Sequence, residues 1–175
     1  MTVNARILTA EELSAPATLL APSLIGKLLC RTMPDGSVKR ERITETECYF
    51  GEEDTACHAH KGRTARTELL YGDCGHAYIY LCYGMHHLLN IVTGCTGHPE
   101  AVLLRGLASV SGPGRLTRAL QIDRSMNGIL LCPENGLWLE DDGTSLPYVS
   151  LPRVGIDYAA AEDVARPWRY LAMPH

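Results

Sequence analysis

Through Val38 to Tyr49 (VKRERITETECY) a few apolar positions are set among polar ones, and this stretch reads as a strand paired with Lys27 to Thr32 across the Pro34-Asp35-Gly36 turn. Neighbouring side chains of a strand face opposite ways, so Glu45, Glu47 and Tyr49 share one face while Thr44, Thr46 and Cys48 share the other. An acid and an aromatic ring therefore occupy one surface. Upstream, Thr9 and Glu12 have capping-box spacing ahead of a Leu-rich pattern, which predicts one or two short helices ending near Gly26. Downstream, Gly51 to Leu70 is polar and irregular, with a helical turn expected near Ala65 to Leu70, and Gly72-Asp73-Cys74-Gly75 turns the chain. His76 to Cys82 and His87 to Thr93 then form a predicted hairpin with Gly84 near its tip. Ala101 to Arg105 is a short apolar strand. Pro113 opens a predicted helix through RLTRALQI, whose N-terminus could face a phosphate. Leu137 to Leu139, Pro152 to Ile156 and Trp168 to Leu171 complete a β-rich set, without repeats or low-complexity tracts.

Composition bounds this picture. With 175 residues, 46% hydrophobic and 21% charged, the chain suits one domain over residues 1–175 with a core of its own. The N-terminal MTVNARILTAEEL lacks an apolar centre, and the run Ala17 to Leu29 is broken by Pro22, Gly26 and Lys27, so neither a signal peptide nor a membrane span is expected and the predicted location is intracellular. Seven cysteines (Cys30, Cys48, Cys57, Cys74, Cys82, Cys95, Cys132) show no CxxC spacing and are expected as free, mostly buried thiols. A net charge of −4 argues against a large non-specific nucleic-acid surface. The distribution is uneven. Arg105 to Arg124 holds four arginines and one acid, whereas Glu134 to Asp163 holds seven acids and one base, Arg153. A local basic face could hold a phosphate backbone, although a solvated face is the commoner meaning of such a cluster.

The candidate chemistry narrows by exclusion. Only Lys27, Lys39 and Lys61 are available for Schiff-base chemistry, and none lies in the aromatic–carboxylate region. There is no P-loop, no GxGxxG after a strand and no HExxH. Cys57, His58 and His60 lack a fourth ligand at recognisable spacing, so no metal and no cofactor is predicted. From pattern alone Glu47 also reads as an exposed strand acid, Glu45 as the partner of Arg40 or Arg42, and Tyr78, Tyr80 and Tyr83 as ordinary strand aromatics. His58 alone reads as a structural histidine. Asn90, inside the apolar run LLNIV, is more telling, because a strand-interior amide needs partners.

The ordered blocks LIGKLLCR (24–31), ITETECYFGEEDTACH (43–58), GRTAR (62–66), YIYLCYGMHHLLNIV (78–92), AVLLRGL (101–107), GPGRLTRALQI (112–122) and PRVGI (152–156) resemble the alkyladenine DNA glycosylases, the 3-methyladenine glycosylases that are not built on helix-hairpin-helix motifs. The resemblance implies a single α+β domain around a curved, mainly antiparallel sheet flanked by helices. It implies a monofunctional glycosylase that flips a damaged purine out of double-stranded DNA, acting as a monomer. By the same resemblance Glu47 is the general base and Arg105 lies near the target phosphate and the water. Tyr49, His58 and Tyr80 hold the flipped base, and Asn90 crowds the purine 2-amino position. Tyr83 enters the minor groove, with Met85, Arg66 and Arg115 contacting DNA. The segment between Leu107 and Gly112 is shorter than the family's, which with the negative net charge predicts weaker, more salt-sensitive DNA binding.

The physics of such a site is consistent with these roles. Flipping costs roughly a few kcal/mol, and stacking on aromatic rings returns about 1–3 kcal/mol per base. Alkylation at N3 or N7 makes the purine a better leaving group, so one ionised carboxylate suffices, in contrast with the paired carboxylates of most sugar hydrolases. Arg105 is expected to hold the Glu47 pKa down. Two alternatives stay open at this level: a non-catalytic nucleic-acid-binding module resembling the C-terminal domain of methionyl-tRNA formyltransferase, and the same chemistry on free nucleosides or single strands.

Overall fold

A long central strand organises the molecule. In the computed structural model, which describes residues 4–94 and 97–174, β3 (Val38–Phe50) is 13 residues long. Its first half pairs with β2 (Leu28–Thr32), and its second half pairs with β6 (Glu100–Leu107) and with β10 (Arg169–Ala172). One strand meets three partners because its register against β6 shifts around Glu45, a β-bulge that bends the strand. The remaining strands are β1 (Arg6–Ile7), β4 (Ala77–Cys82), β5 (His86–Thr93), β7 (Val110–Ser111), β8 (Leu137–Asp141) and β9 (Tyr148–Leu151). All pair antiparallel, in the order β1-β8-β2-β3-β6-β5-β4, with β7 on β6 and β9 on β10.

The two faces of the sheet do different work. Cys48, Ile79, Leu89, Ile91, Val102 and Leu104 point into the main core, which is closed by α1 (Ala17–Ser23) and α2 (Pro113–Ala119). On the other face a smaller cluster of Cys57, Ala59, Leu70, Tyr71, Tyr78, Val92 and Ala101 packs beneath the 51–72 segment, with Tyr49 and Tyr80 at its edge. The period-two alternation of β3 to β6 thus separates scaffold from site.

The capping box forms as expected: Thr9 N–H donates to Glu12 Oε2 at 2.9 Å and Glu12 N–H to Thr9 Oγ1 at 3.3 Å. It opens a 3₁₀ turn at Glu12–Ser14 that leads into α1, and the chain turns away at Gly26, φ 93°. The 51–72 segment holds 3₁₀ turns at His58–Lys61 and Glu68–Tyr71. One predicted strand is corrected. Pro152 to Ile156 is a loop after β9, because Pro152 lacks an N–H for the ladder and Gly155 sits at φ 74°, where extended pairing stops. β1, β7, β9 and α3 (Ala161–Ala165) had no clear pattern in the chain. Cys30, Cys48 and Cys57 are buried thiols, and burial pushes Cys30 and Cys57 up to about 12. Cys95 lies outside the described residues. Among those residues no helix is long and apolar enough to cross a membrane.

Candidate active site

β3, β6 and β10 bring four charged side chains to one place. Glu47 faces Leu103 across β6 and Arg169 across β10, and Glu45 lies beside Gly106 at the bulge. A Cβ on Gly106 would stand 3.1 Å from Glu45 Cβ and 3.1 Å from Thr44 Oγ1, so glycine permits this close approach. Glu45 pairs with Arg105 at 3.3 Å and Arg169 at 3.1 Å. The pairing of Glu45 with Arg40 or Arg42 is therefore corrected: both arginines sit on the β2 side of β3 and take Glu140 and Asp142, each at 2.9 Å.

Glu47 is fully buried, at 0% exposure. Its Oε1 accepts the Val154 N–H at 2.8 Å and lies 3.5 Å from Arg105 Nε, while Oε2 accepts the Tyr49 hydroxyl at 2.7 Å. Burial raises the Glu47 pKa above the usual carboxylate range, opposed by Arg105, the Val154 amide, Tyr49 and Arg153. The expectation that Arg105 holds this pKa down is corrected in its net sign: Arg105 pulls in that direction, but loss of water outweighs it. Nor is Glu47 an exposed strand acid.

Above Glu47 opens a cavity of about 700 Å³ lined by Tyr49, His58, Tyr80, Asn90 and Arg105. His58 and Tyr80 stack edge to face at 4.5 Å, and His58 Nδ1 lies 3.0 Å from the Tyr78 hydroxyl. Burial, with Arg66 and Lys61 nearby, drops the His58 pKa to about 4, so this wall is a neutral imidazole at physiological pH. Asn90 is buried and donates to the Tyr78 carbonyl at 3.2 Å, satisfying the amide that stood out in the apolar run. The Arg66 guanidinium lies 5.3 Å over the Tyr80 ring at the cavity wall.

The rim is built differently. Tyr83, Arg66 and Arg115 line the mouth, and Met85 stands beside it, exposed. Tyr83 is 89% exposed, in a turn closed by Met85 N–H to the Cys82 carbonyl at 3.1 Å. Both Tyr83 (φ 51°) and Gly84 (φ 66°) occupy the left-handed region, which costs tyrosine about 1–2 kcal/mol. Gly114, in the first turn of α2, lets His86 lie close against the helix: a Cβ there would be 2.9 Å from the imidazole. The hairpin and Arg115 thereby face the same opening.

Glu47 itself lies beneath the cavity floor, and Met85 stands outside the lining; the other eight predicted residues line it. Several contributors carried no assigned role: Val154, Arg153, Asp54, Arg169 and Tyr158. Arg153 did leave a signal, as the one base in an acidic stretch directly before Val-Gly. Arg169 and Asp54 left none, since their partners are distant in the chain.

The Methylpurine-DNA glycosylase (MPG) family matches residues 11–175. A relative from Psychrobacter cryohalolentis, provisionally named 3-methyladenine DNA glycosylase, is 44% identical over 91% of this chain and 89% of its own length. Provisionally so named relatives from Methanocella arvoryzae and Rickettsia felis are 42% and 40% identical, over 94% and 97% of this chain and 91% and 95% of theirs. The chain belongs to the methylpurine-DNA glycosylase family.

Proposed function

We propose that this protein hydrolyses the N-glycosidic bond of alkylated or otherwise damaged purines in double-stranded DNA, releasing the free base and leaving an abasic site. The carrying observation is Glu47, a fully buried carboxylate held by Val154, Tyr49 and Arg105 under an aromatic cavity. A binding surface for a nucleic-acid backbone has no use for such a group, which speaks against the non-catalytic module.

In this reading the hairpin tip fills the duplex as the damaged nucleotide leaves it, with Tyr83 as the wedge and Met85 beside it. The everted base stacks between Tyr49, Tyr80 and His58, while Asn90 reads its edge. Arg66 and Arg115 meet the backbone at the mouth. Each carboxylate oxygen of Glu47 keeps acceptor capacity beyond the donor it already holds, so it can take a proton from water attacking C1′ without changing orientation. Its raised pKa makes it a stronger proton acceptor once ionised. Arg105 lies where it orients that water and the adjacent phosphate. The alkylated base leaves without an acid. No group here is a Schiff-base nucleophile, so the strand stays intact. The enzyme works as a monomer on DNA inside the cell.

Incubating the protein with duplex oligonucleotides carrying one alkylated purine tests this directly. Free base plus an unbroken abasic strand is the expected result, with faster release from duplex than from single strands. No released base from any alkylated duplex overturns the proposal.

A further inference from the structure

Behind Tyr49 runs an alternating ladder of cations and rings whose other members, Arg153, Trp168 and Arg166, have no part in the proposed reaction. The Arg166 guanidinium lies 4.9 Å from the centre of the Trp168 ring, the Arg153 guanidinium lies 5.0 Å from the same ring, and Arg153 is also 4.9 Å from the Tyr49 ring. Arg153 is wholly buried and pairs with the equally buried Asp54, Nη1 to Oδ2 at 2.6 Å and Nη2 to Oδ1 at 2.9 Å. Nη1 also donates to the Cys48 carbonyl on β3 and Nη2 to the Asp163 carbonyl on α3. Its Nε is the one buried side-chain nitrogen or oxygen among the described residues without a hydrogen-bond partner. The next residue is Val154, whose N–H holds Glu47.

Buried ion pairs are weak evidence for stability, because well-packed apolar residues often serve as well or better. An arginine that keeps such a pair, and leaves a donor unpaired to do so, is better explained by what it positions. Both neighbours it fixes, the Tyr49 ring and the Val154 amide, touch the Glu47 carboxylate. We propose that Arg153, locked to Asp54 and clamped between Tyr49 and Trp168, is a positioning residue that holds the pocket ring and the loop amide against Glu47. It rests on the glycosylase reading above, since Glu47 must be the group whose placement matters. Arg153 does not line the cavity and touches no substrate.

The test is single-turnover excision against pH on a duplex with one alkylated purine, with active molecules counted by titration with abasic-analogue DNA. The groups facing Glu47 are Arg105, Tyr49, Arg153, Tyr80 and Tyr158, with the Glu45–Arg169 pair alongside. Only Arg153 and its partner are altered. Arg153→Met alone strands Asp54 as a buried anion and risks unfolding, so the informative variant is Asp54→Asn/Arg153→Met, with Arg153→Lys as the conservative one. The double variant is expected to lose roughly 10- to 100-fold in rate per active molecule and to move its acid limb to higher pH, because of the neutralised pair it is Arg153, not Asp54, that acts on Glu47. Arg153→Lys restores the limb more fully than the rate, since an ammonium supplies charge but not the planar fork. A double variant with unchanged rate and unchanged limb per active molecule, even with less folded protein, overturns the positioning role while the wild-type activity keeps the function intact. Wild-type protein that releases no base overturns the function and this role together.

Discussion

The floor and the rim of the cavity stand on the same sheet and follow opposite rules. Glu47, on the central strand β3, is fully buried and each of its oxygens meets a donor. Tyr83, beyond the end of the edge strand β4, is 89% exposed on a backbone at φ 51°. At the floor the cost is desolvation of a charge, only partly offset by Arg105 and two hydrogen bonds. At the rim the cost is backbone strain, tolerated because it aims a ring outward. The difference matches what each end does in the proposed reaction: a carboxylate that meets a water in one orientation is over-determined, whereas a ring that leaves water for the inside of a duplex keeps few partners.

The largest effect that sharpens this contrast is Glu47→Gln. It keeps shape and burial but removes the base, and is expected to slow single-turnover excision about 10²-fold or more while abasic-analogue binding stays near wild type. Equal rates would remove Glu47 from the chemistry and leave the buried floor without a function.

Next in size is the pH profile. In the proposed reaction Glu47 acts as the anion, and burial raises its pKa, so excision is expected to fall about tenfold per pH unit below an acid limb displaced upward from that of a free carboxylate. Arg105→Gln removes the strongest influence opposing that rise, so the limb moves to still higher pH and the rate at neutral pH drops. A limb that stays in place, or moves down, breaks the electrostatic account of the floor.

How much of this was legible in the chain differs between the same two regions. The hairpin tip is plain: two runs rich in aromatic and aliphatic residues around Tyr83-Gly84 have few other ways to fold, and the local pattern carries the geometry. Alternation in β3 likewise put Glu45, Glu47 and Tyr49 on one face. The environment of Glu47 was not legible, because the Val154 N–H arrives from 107 residues away and the Arg153–Asp54 pair spans 99. No local period encodes such contacts. Hence the chain alone points to Arg105 as governing a carboxylate whose pKa answers first to burial, and its local pattern suggests a strand over Pro152 to Ile156 where a loop turns Arg153 inward.

At the rim the effect is smaller. Tyr83→Ala removes the ring proposed to replace the everted nucleotide, and the loss of about 1 kcal/mol of stacking is roughly fivefold in the flipping equilibrium. A 2-aminopurine placed beside the lesion reports this as reduced fluorescence on binding. An unchanged signal would mean that the tip does not enter the duplex, and that its strained backbone serves something else.

The smallest effect reverses the sign of the contrast, in stability rather than rate. The pKa of Glu47 in the folded protein is raised above its unfolded value, so its contribution is fully present below the unfolded pKa and is lost as pH rises through the folded one. Above that window the ionised carboxylate is a net burden on the fold. Glu47→Gln therefore melts higher than wild type at pH 7–8, by roughly 1–3 °C, and the gap closes as pH falls below the unfolded pKa. Glu45 keeps Arg105 partnered in the variant, so the gain is not cancelled by an orphaned cation. Tyr83→Ala, whose side chain is exposed, leaves the melting temperature within about 1 °C at every pH. Melting curves of the two variants across pH separate the ends of the cavity without any substrate: a floor substitution that stabilises with rising pH, beside a rim substitution that does nothing, is the signature of a site that holds its acid against the preference of the fold.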